Sequence, residues 1–420
     1  MLTGCGGGLA LWALFLAVCC VQQTQSFVPL DIGRGLPVPG GRVFRDASAL
    51  VAPAADRWPL CHQRCPAHSS SALRATVSDP VTAEAVGGGR IASANDPLRR
   101  RAWALKRAEG LKKAATEHTV PLKYLEIDCP GGECDLEVEP LLILHGLLGQ
   151  SRNFQSFAKG LSARLDRPRR IIIPDLRNHG DSPHARSMSY ISMAMDVVAL
   201  LDTLGIDKTC IIGHSMGGKV AAALALFYGE RVESVGILDI APVDYSRQIG
   251  PGSDTWKDIS VIIKALNDVP QEAMGDKKMV DAQLAQTIAD PVLRAFALTN
   301  LERDPAGGMR WKIGIENLHR NMGIIGGFDL GQGLASPASE MGLSFERDAF
   351  FVQGGNSRFI SSRHLPEISA MFPRFKLATI RNCGHWVHSE DPEQTIKNVQ
   401  LFLDRKDPTP FRTKADQIPE

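Results

Sequence analysis

Cys210-Ile211-Ile212-Gly213-His214-Ser215-Met216-Gly217-Gly218 is the stretch on which the fold turns. The apolar Cys210-Ile211-Ile212 reads as a buried strand, and Gly218-Lys219-Val220-Ala221-Ala222-Ala223-Leu224-Ala225-Leu226 as a helix of small residues. The G-x-S-x-G between them is a strand–turn–helix that lifts a serine hydroxyl above the end of a sheet. Its glycines are needed because side chains beside the serine would collide with the strand or the helix. The helix also aims its first N–H groups at the site and favours negative charge there. A second reading competes: Gly213, Gly218 and Lys219 have the spacing of a phosphate-binding loop, G-x-x-x-x-G-K. That loop requires Ser or Thr next, to hold magnesium, and the residue here is Val220.

Working outward, strands alternate with helices. Leu122–Ile127 reads as a strand, and Leu141–Leu144 as a buried strand ending in His145-Gly146-Leu147-Leu148-Gly149. A helix follows from about Ser151 to Leu165, then the strand Ile171–Ile173 with the loop Pro174-Asp175-Leu176-Arg177-Asn178-His179-Gly180-Asp181-Ser182. Tyr190–Leu204 is amphipathic, with Ile191, Ala194, Met195, Val198 and Leu201 on one face. Val235–Ile240 is the strand after the serine helix. Continuous apolar strands alternating with helices predict an α/β fold, a mostly parallel central sheet covered on both faces. From about Val243 to Phe345 the alternation stops, and helical patterns near Thr255–Asn267, Lys278–Arg303 and Arg310–Asn321 predict a helical cap. The sheet resumes at Ala349–Val352 and Lys376–Ile380, and a last helix spans about Pro392–Asp404.

The chain has 420 residues, 44% of them hydrophobic and 22% charged, with a net charge of +1. That composition is globular and offers no electrostatic argument for nucleic acid as a partner. The nine cysteines lack paired C-x-x-C spacing, so no zinc site is expected. They are expected to be free thiols, with a Cys129–Cys134 bridge as the alternative. The apolar run Leu9–Val21 has the length of a signal peptide, with cleavage expected after Ser26; an uncleaved anchor is the alternative. Residues 27–97 are rich in Gly, Pro, Ala, Ser and Arg without lasting apolar periodicity, and read as an unfolded transit-like presequence. Residues 98–120 carry the basic segment Leu98–Lys113, read as a linker helix, with weak membrane-surface contact as the alternative. The folded domain is expected over 121–406, followed by a polar tail, 407–420.

A serine hydroxyl needs a base, a group that orients the base, and donors for an oxyanion. His385, in Asn382-Cys383-Gly384-His385-Trp386 after the last strand, is placed to be the base. His388 is expected to face solvent or pack locally. The N–H groups of Met216 and Leu147 are the expected oxyanion donors. The acid is less direct. No carboxylate lies between Phe350 and His364, and Asn356 stands where it would be expected. A neutral amide would orient the base without stabilising an imidazolium. Asp239, at the end of the neighbouring strand, is assigned the role, with Asp244 and Asn356 as the other candidates. Asp175, Arg177, His179 and Gly180 read as a structural ion-pair and turn set.

Taken together, His145-Gly146-Leu147-Leu148-Gly149, Asp175-x-Arg177-x-His179-Gly180-x-Ser182, Gly213-His214-Ser215-Met216-Gly217-Gly218 and Gly384-His385 resemble the alpha/beta-hydrolase superfamily over about 121–406. Asp239-Ile240-Ala241-Pro242-Val243-Asp244-Tyr245, Gly354-Gly355-Asn356-Ser357 and Gly384-His385-Trp386-Val387-His388 resemble one subgroup, the bacterial acyl esterases and the eukaryotic alpha/beta-hydrolase domain-containing protein eleven. That subgroup also lacks the usual acid, and the resemblance implies that Asp239 supplies it. It implies hydrolysis of small-molecule carboxylic esters or thioesters through an acyl-enzyme, with neither metal nor organic cofactor. An acyltransferase on the same site and an inactive hydrolase-fold binding module are the alternatives. Serine as nucleophile argues against dehalogenase and epoxide hydrolase chemistry, which use aspartate in this fold. The N-terminal segments resemble the bipartite presequence of algae with secondary plastids, which implies plastid import. Eukaryotic members of the subgroup are mitochondrial, and mitochondrial import or secretion is the alternative.

Overall fold

The computed structural model describes residues 119–246, 251–328 and 342–405. The expected signal peptide, presequence, basic helix and polar tail lie outside the described residues, apart from residues 119 and 120, which are in neither helix nor strand.

The chain runs β1 (Tyr124–Ile127), β2 (Leu141–Leu144), α1 (Gln155–Ser162), β3 (Ile171–Pro174), α2 (Tyr190–Thr203), β4 (Thr209–His214), α3 (Met216–Phe227) and β5 (Val232–Leu238). The cap follows: α4 (Pro251–Asn267), α5 (Lys277–Leu284), α6 (Pro291–Ala297), β6 (Leu301–Arg303), β7 (Met309–Trp311), α7 (Ile315–Arg320) and α8 (Met322–Gly326). The sheet is completed by β8 (Ala349–Gly354), α9 (Leu365–Met371) and β9 (Phe375–Ile380), with α10 (Val387–Glu390) and α11 (Pro392–Leu403) closing the chain. The seven-stranded sheet has the order β1-β3-β2-β4-β5-β8-β9. Every pairing is parallel except that of the edge strand β1 with β3.

Alternate side chains of the strands point to opposite faces, and the core divides accordingly. Leu141, Ile143, Ile171, Ile173, Ile212 and Val352 pack with α1 and α11. Leu142, Leu144, Ile172, Ile211, Val235 and Phe351 pack with α2, α3 and α9. Both faces are covered, which is why the inner strands tolerate no alternation of polar residues. All twelve residues of α3 are buried, and its Gly and Ala residues let it lie close to the sheet.

Register places the site. Leu144 lies beside Gly213, His214 beside Leu238, Leu238 beside Val352, and Gly354 beside Ile380. The strands therefore end nearly level, and the chain leaves them on one edge at His145, Ser215, Asp239, Gly355 and Arg381.

The cap differs from the expected helical patterns. The single pattern over Lys278–Arg303 is broken into α5, α6, a 3-10 turn and β6. Pro291 and the Asp290 side chain, which accepts the N–H groups of Val292 and Leu293, start a new helix there. The pattern over Arg310–Asn321 begins as β7, which pairs antiparallel with β6. Gly307 and Gly308, at φ 105° and 79°, make the turn between them.

The cysteine expectation is corrected for one pair. Cys129 and Cys134 form a disulfide, because the turn Pro130–Gly132, with Gly131 and Gly132 at positive φ, brings their Cα atoms to 5.4 Å. Cys210 and Cys383 are free and buried. Among the described residues no helix is long and apolar enough to cross a membrane.

Candidate active site

Ser215 follows β4 at φ 53° and ψ −121°, a conformation that costs on the order of 1–3 kcal/mol and persists only where the surroundings enforce it. They do so by close approach. A Cβ on Gly213 would lie 2.2 Å from the Gly217 carbonyl oxygen, and one on Gly217 would lie 2.4 Å from that of His145. Any other residue at either place would push the serine turn out of register.

The structure brings Ser215, His385 and Asp239 into one line. His385 Nε2 is 3.0 Å from Ser215 Oγ, and Nδ1 is 2.8 Å from Asp239 Oδ2. These contacts are met with Nδ1 protonated, Nε2 accepting from the serine hydroxyl. Asp239 is fully buried, at φ 51°, and its own N–H donates to Val352 O across the sheet. Its Oδ1 accepts the Gly354 N–H at 2.9 Å, and its Oδ2 accepts the Ser357 hydroxyl as well as the imidazole N–H. Asp244 instead accepts the N–H and hydroxyl of Ser246, and Asn356 is exposed.

Burial pushes the His385 imidazole down, toward its neutral form; the Glu390 charge and the bond to Asp239 oppose it. Burial pushes the Asp239 carboxyl up, opposed by the Ser357 and Gly354 hydrogen bonds. A neutral imidazole bonded to a hydroxyl is the state required of a general base.

Met216 is the first residue of α3, so its N–H has no acceptor within the helix. Leu147 occupies a turn closed by Gly149 N–H to Gly146 O at 3.0 Å, with Leu148 at φ 62°. The turn lies against the serine: a Cβ on Gly146 would be 3.2 Å from Ser215 Cβ. Two buried histidines brace it. His179 Nε2 accepts the Leu148 N–H, with Nδ1 donating to Arg177 O, and His145 Nε2 accepts the Leu176 N–H, with Nδ1 donating to Gly146 O. Burial pushes both imidazoles down, so they stay neutral and keep the accepting nitrogen bare. From the cap, Asn300 Nδ2 donates to Leu148 O at 2.9 Å.

The remaining expectations divide. Asp175 accepts the N–H groups of Ser151 and Asp181, and Gly180 at φ 54° lies so close to that carboxylate that no side chain fits. The ion pair of Arg177, however, is with Asp196 on α2, at 2.6 and 2.7 Å and wholly buried. His388 does not face solvent: α10 turns it inward, stacked on Phe154 at 4.2 Å and against His214 at 4.5 Å. Lys219 does not reach toward a phosphate site. It is buried, with Nζ donating to the carbonyls of Gly326 and Gly327 at 3.0 and 2.7 Å.

Sequence reasoning named no role for Ser357, though it lies in the quoted Gly354-Gly355-Asn356-Ser357. A small hydroxyl residue there carries no signal until β5 and β8 are known to be neighbours. In sequence His214 is only the variable place of G-x-S-x-G, but its Nε2 donates to the His385 carbonyl at 2.9 Å. Among the described residues no group of three or more His, Cys, Asp or Glu side chains is arranged to hold a metal ion.

Comparison with known proteins agrees with this architecture. A family model described as the alpha/beta hydrolase fold matches residues 139–268. A mouse protein named sn-1-specific diacylglycerol lipase ABHD11 is 34% identical over 286 residues, which cover 68% of this chain and 85% of that one. Esterase YbfF of Escherichia coli strain K12 is 30% identical over 264 residues, covering 63% of this chain and 92% of that one. A solved structure titled Marine microorganism esterase superposes with a TM-score of 0.59 at 33% identity, covering 68% of this chain and all of that one.

Proposed function

The chain belongs to the alpha/beta-hydrolase family and is a carboxylic ester hydrolase, and from that premise we propose the roles of its site residues. Ser215 Oγ attacks the acyl carbonyl carbon while His385 Nε2 takes the hydroxyl proton. Asp239 keeps Nδ1–H directed at itself and stabilises the imidazolium that forms. The N–H groups of Leu147 and Met216 donate hydrogen bonds to the carbonyl oxygen as negative charge develops on it. The tetrahedral adduct collapses to an acyl-serine, and the leaving alcohol or thiol departs with the proton from His385. Water then attacks the acyl-serine, again giving its proton to His385, and the acid is released as Ser215 recovers its hydrogen.

One observation carries this reading: the unbroken hydrogen-bonded line Ser215–His385–Asp239, with distances of 3.0 and 2.8 Å, on the edge where the strands end level. The substrate class is a small-molecule acyl ester or thioester. The similarity to a diacylglycerol lipase supports acylglycerols as the first esters to try. The test is labelling of the full chain with a fluorophosphonate, wild type against Ser215→Ala, followed by turnover of p-nitrophenyl esters of increasing acyl length and of a diacylglycerol. Labelling of the Ser215 peptide that vanishes in the variant is expected; labelling elsewhere, or none in a folded wild type, rejects the assignment.

We also read residues 1–97 as a plastid-targeting presequence ahead of a catalytic domain spanning about 121–406. A fluorescent protein fused behind residues 1–97 is expected in the plastid of an alga with a secondary plastid; mitochondrial or secreted fluorescence would refute it.

A further inference from the structure

The loop that carries His385 joins β9 to α10 and has the left-handed residue Asn382 in it, at φ 58°. It is not held by sheet or helix pairing at the histidine itself. A single side chain holds it from both sides. Glu390 Oε2 accepts the Gly384 N–H at 2.6 Å, and Oε1 accepts the Trp386 N–H at 3.1 Å. These are the residues immediately before and after the base. The His385 carbonyl is held independently by His214 Nε2–H. Hydrogen bonds from N–H groups to a carboxylate are roughly twice as strong as neutral ones, so this clamp outweighs any single bond in the loop.

Two neighbouring features fit the same purpose. Gly384 has no side chain because the carboxylate needs the room: a Cβ there would lie 2.9 Å from Glu390 Oε1. The adjacent acid does something else, since the Asp391 side chain accepts the Gln394 N–H and starts α11. The two consecutive acids therefore divide the work, one for the helix and one for the catalytic loop.

We propose that Glu390 is a positioning residue for the base: it grips the backbone on both sides of His385 and places a second carboxylate against that loop. This rests on the reading of His385 as general base. The charged and titratable groups facing His385 are Asp239 beyond β5, His214 at the end of β4, and His388 and Glu390 on α10. Burial holds His214 and His388 neutral. Against burial, the Glu390 charge and the hydrogen bond to Asp239 are what favour the imidazolium, so the Glu390 charge works to raise the basicity of His385.

The experiment uses the full chain and p-nitrophenyl butyrate, with kcat, KM and the pH profile measured for wild type, Glu390→Gln, Gly384→Ala, Ser215→Ala and the surface control Glu393→Gln. An amide offers one N–H group an acceptor and turns a donor on the other. Glu390→Gln is expected to lower kcat about 10- to 100-fold at nearly unchanged KM, the cost of a small misplacement of a catalytic group. Its acid limb is expected to move to lower pH, because a negative charge that favoured imidazolium is gone. Gly384→Ala, which keeps the charge but displaces it, should lower kcat similarly, and Glu393→Gln should match wild type. Wild-type kcat in Glu390→Gln, or a loss without the shift of the acid limb, overturns the proposal while an inactive Ser215→Ala leaves the site reading intact. If Glu390→Gln does not fold, Gly384→Ala decides, wild-type kcat in it being the overturning result. Activity retained by Ser215→Ala brings down the site reading itself.

Discussion

At the carboxyl edge of the sheet, loops a few residues long hold Ser215 and Asp239 in backbone conformations that residues with side chains seldom adopt; in the cap, short elements start and stop by ordinary local rules. Among the described residues six non-glycine residues have positive φ, and five of them (Leu148, Asn178, Ser215, Asp239 and Asn382) lie in loops at that edge. In the described part of the cap, positive φ occurs only at glycines, namely Gly307, Gly308 and Gly342. Strain of this kind persists where surroundings over-determine the backbone. The edge has such surroundings, with level strands, buried histidines as braces and a glycine at each close approach. The cap has aspartates at helix starts and glycines at a turn. Over-determined backbone is thus concentrated around the Ser215–His385–Asp239 line, whereas the cap lies against it through a shared apolar core, Ile313, Leu318 and Ile325 among it, and through bonds such as Asn300 to Leu148 and Lys219 to Gly326 and Gly327.

That contrast can be broken most severely at the edge. Asp239→Asn is expected to lower kcat by about 10⁴-fold, through the wrong imidazole tautomer, with little change in unfolding midpoint. Steady-state kinetics beside a denaturant titration checks it, and turnover within tenfold of wild type would contradict the role.

The bond between the two regions comes next. Burial pushes the Lys219 ammonium down to about 7. An unfolded lysine titrates near 10.4, so between those values the unfolded chain binds the proton and the native chain does not. Stability therefore rises with pH across roughly 7 to 10, by an amount on the order of a few kcal/mol. Lys219→Met removes this dependence, so its unfolding free energy relative to wild type should become steadily less favourable as pH rises through that window. Parallel pH profiles in urea would refute it.

Gly217→Ala probes the steric basis of the strained turn. Its Cβ would lie 2.4 Å from a backbone oxygen, and a loss of about 3 kcal/mol is expected by urea unfolding, together with loss of fluorophosphonate labelling. The smallest effect belongs to the cap. Asp290→Ala should cost about 1 kcal/mol, the value of a helix cap, and leave the labelling rate of Ser215 unchanged. A cap variant that slowed labelling as strongly as the edge variants would erase the distinction between the regions.

Legibility followed the same division. The sheet was readable because each inner strand is buried on both faces, which writes a continuous apolar run into the chain, as in Leu141–Leu144 and Ile171–Ile173. The three residues of the hydrogen-bonded line Ser215–His385–Asp239 could be picked out because each lies just past a strand end, although Asp244 and Asn356 competed with Asp239. The cap was read less well. Lys278–Arg303 has helical periodicity throughout and only Asp290-Pro291 marks a break within it, while Gly307 and Gly308 mark the turn that follows. His388 has no local sign of burial; its ring fills a space made by Phe154 and His214, from a helix and a strand far away in sequence.

Across the described residues, local pattern alone determined the alternation of strands and helices, the serine turn and the place of His385, because each is a matter of near-neighbour sterics and burial. Only tertiary structure decided which acid meets His385, where Arg177 finds its partner, that Lys219 ties the serine helix to the cap, and that Glu390 grips the loop of His385. Those depend on the order and register of strands that are distant in the chain, and a buried charge or an N–H group reveals its partner only when that packing is in place.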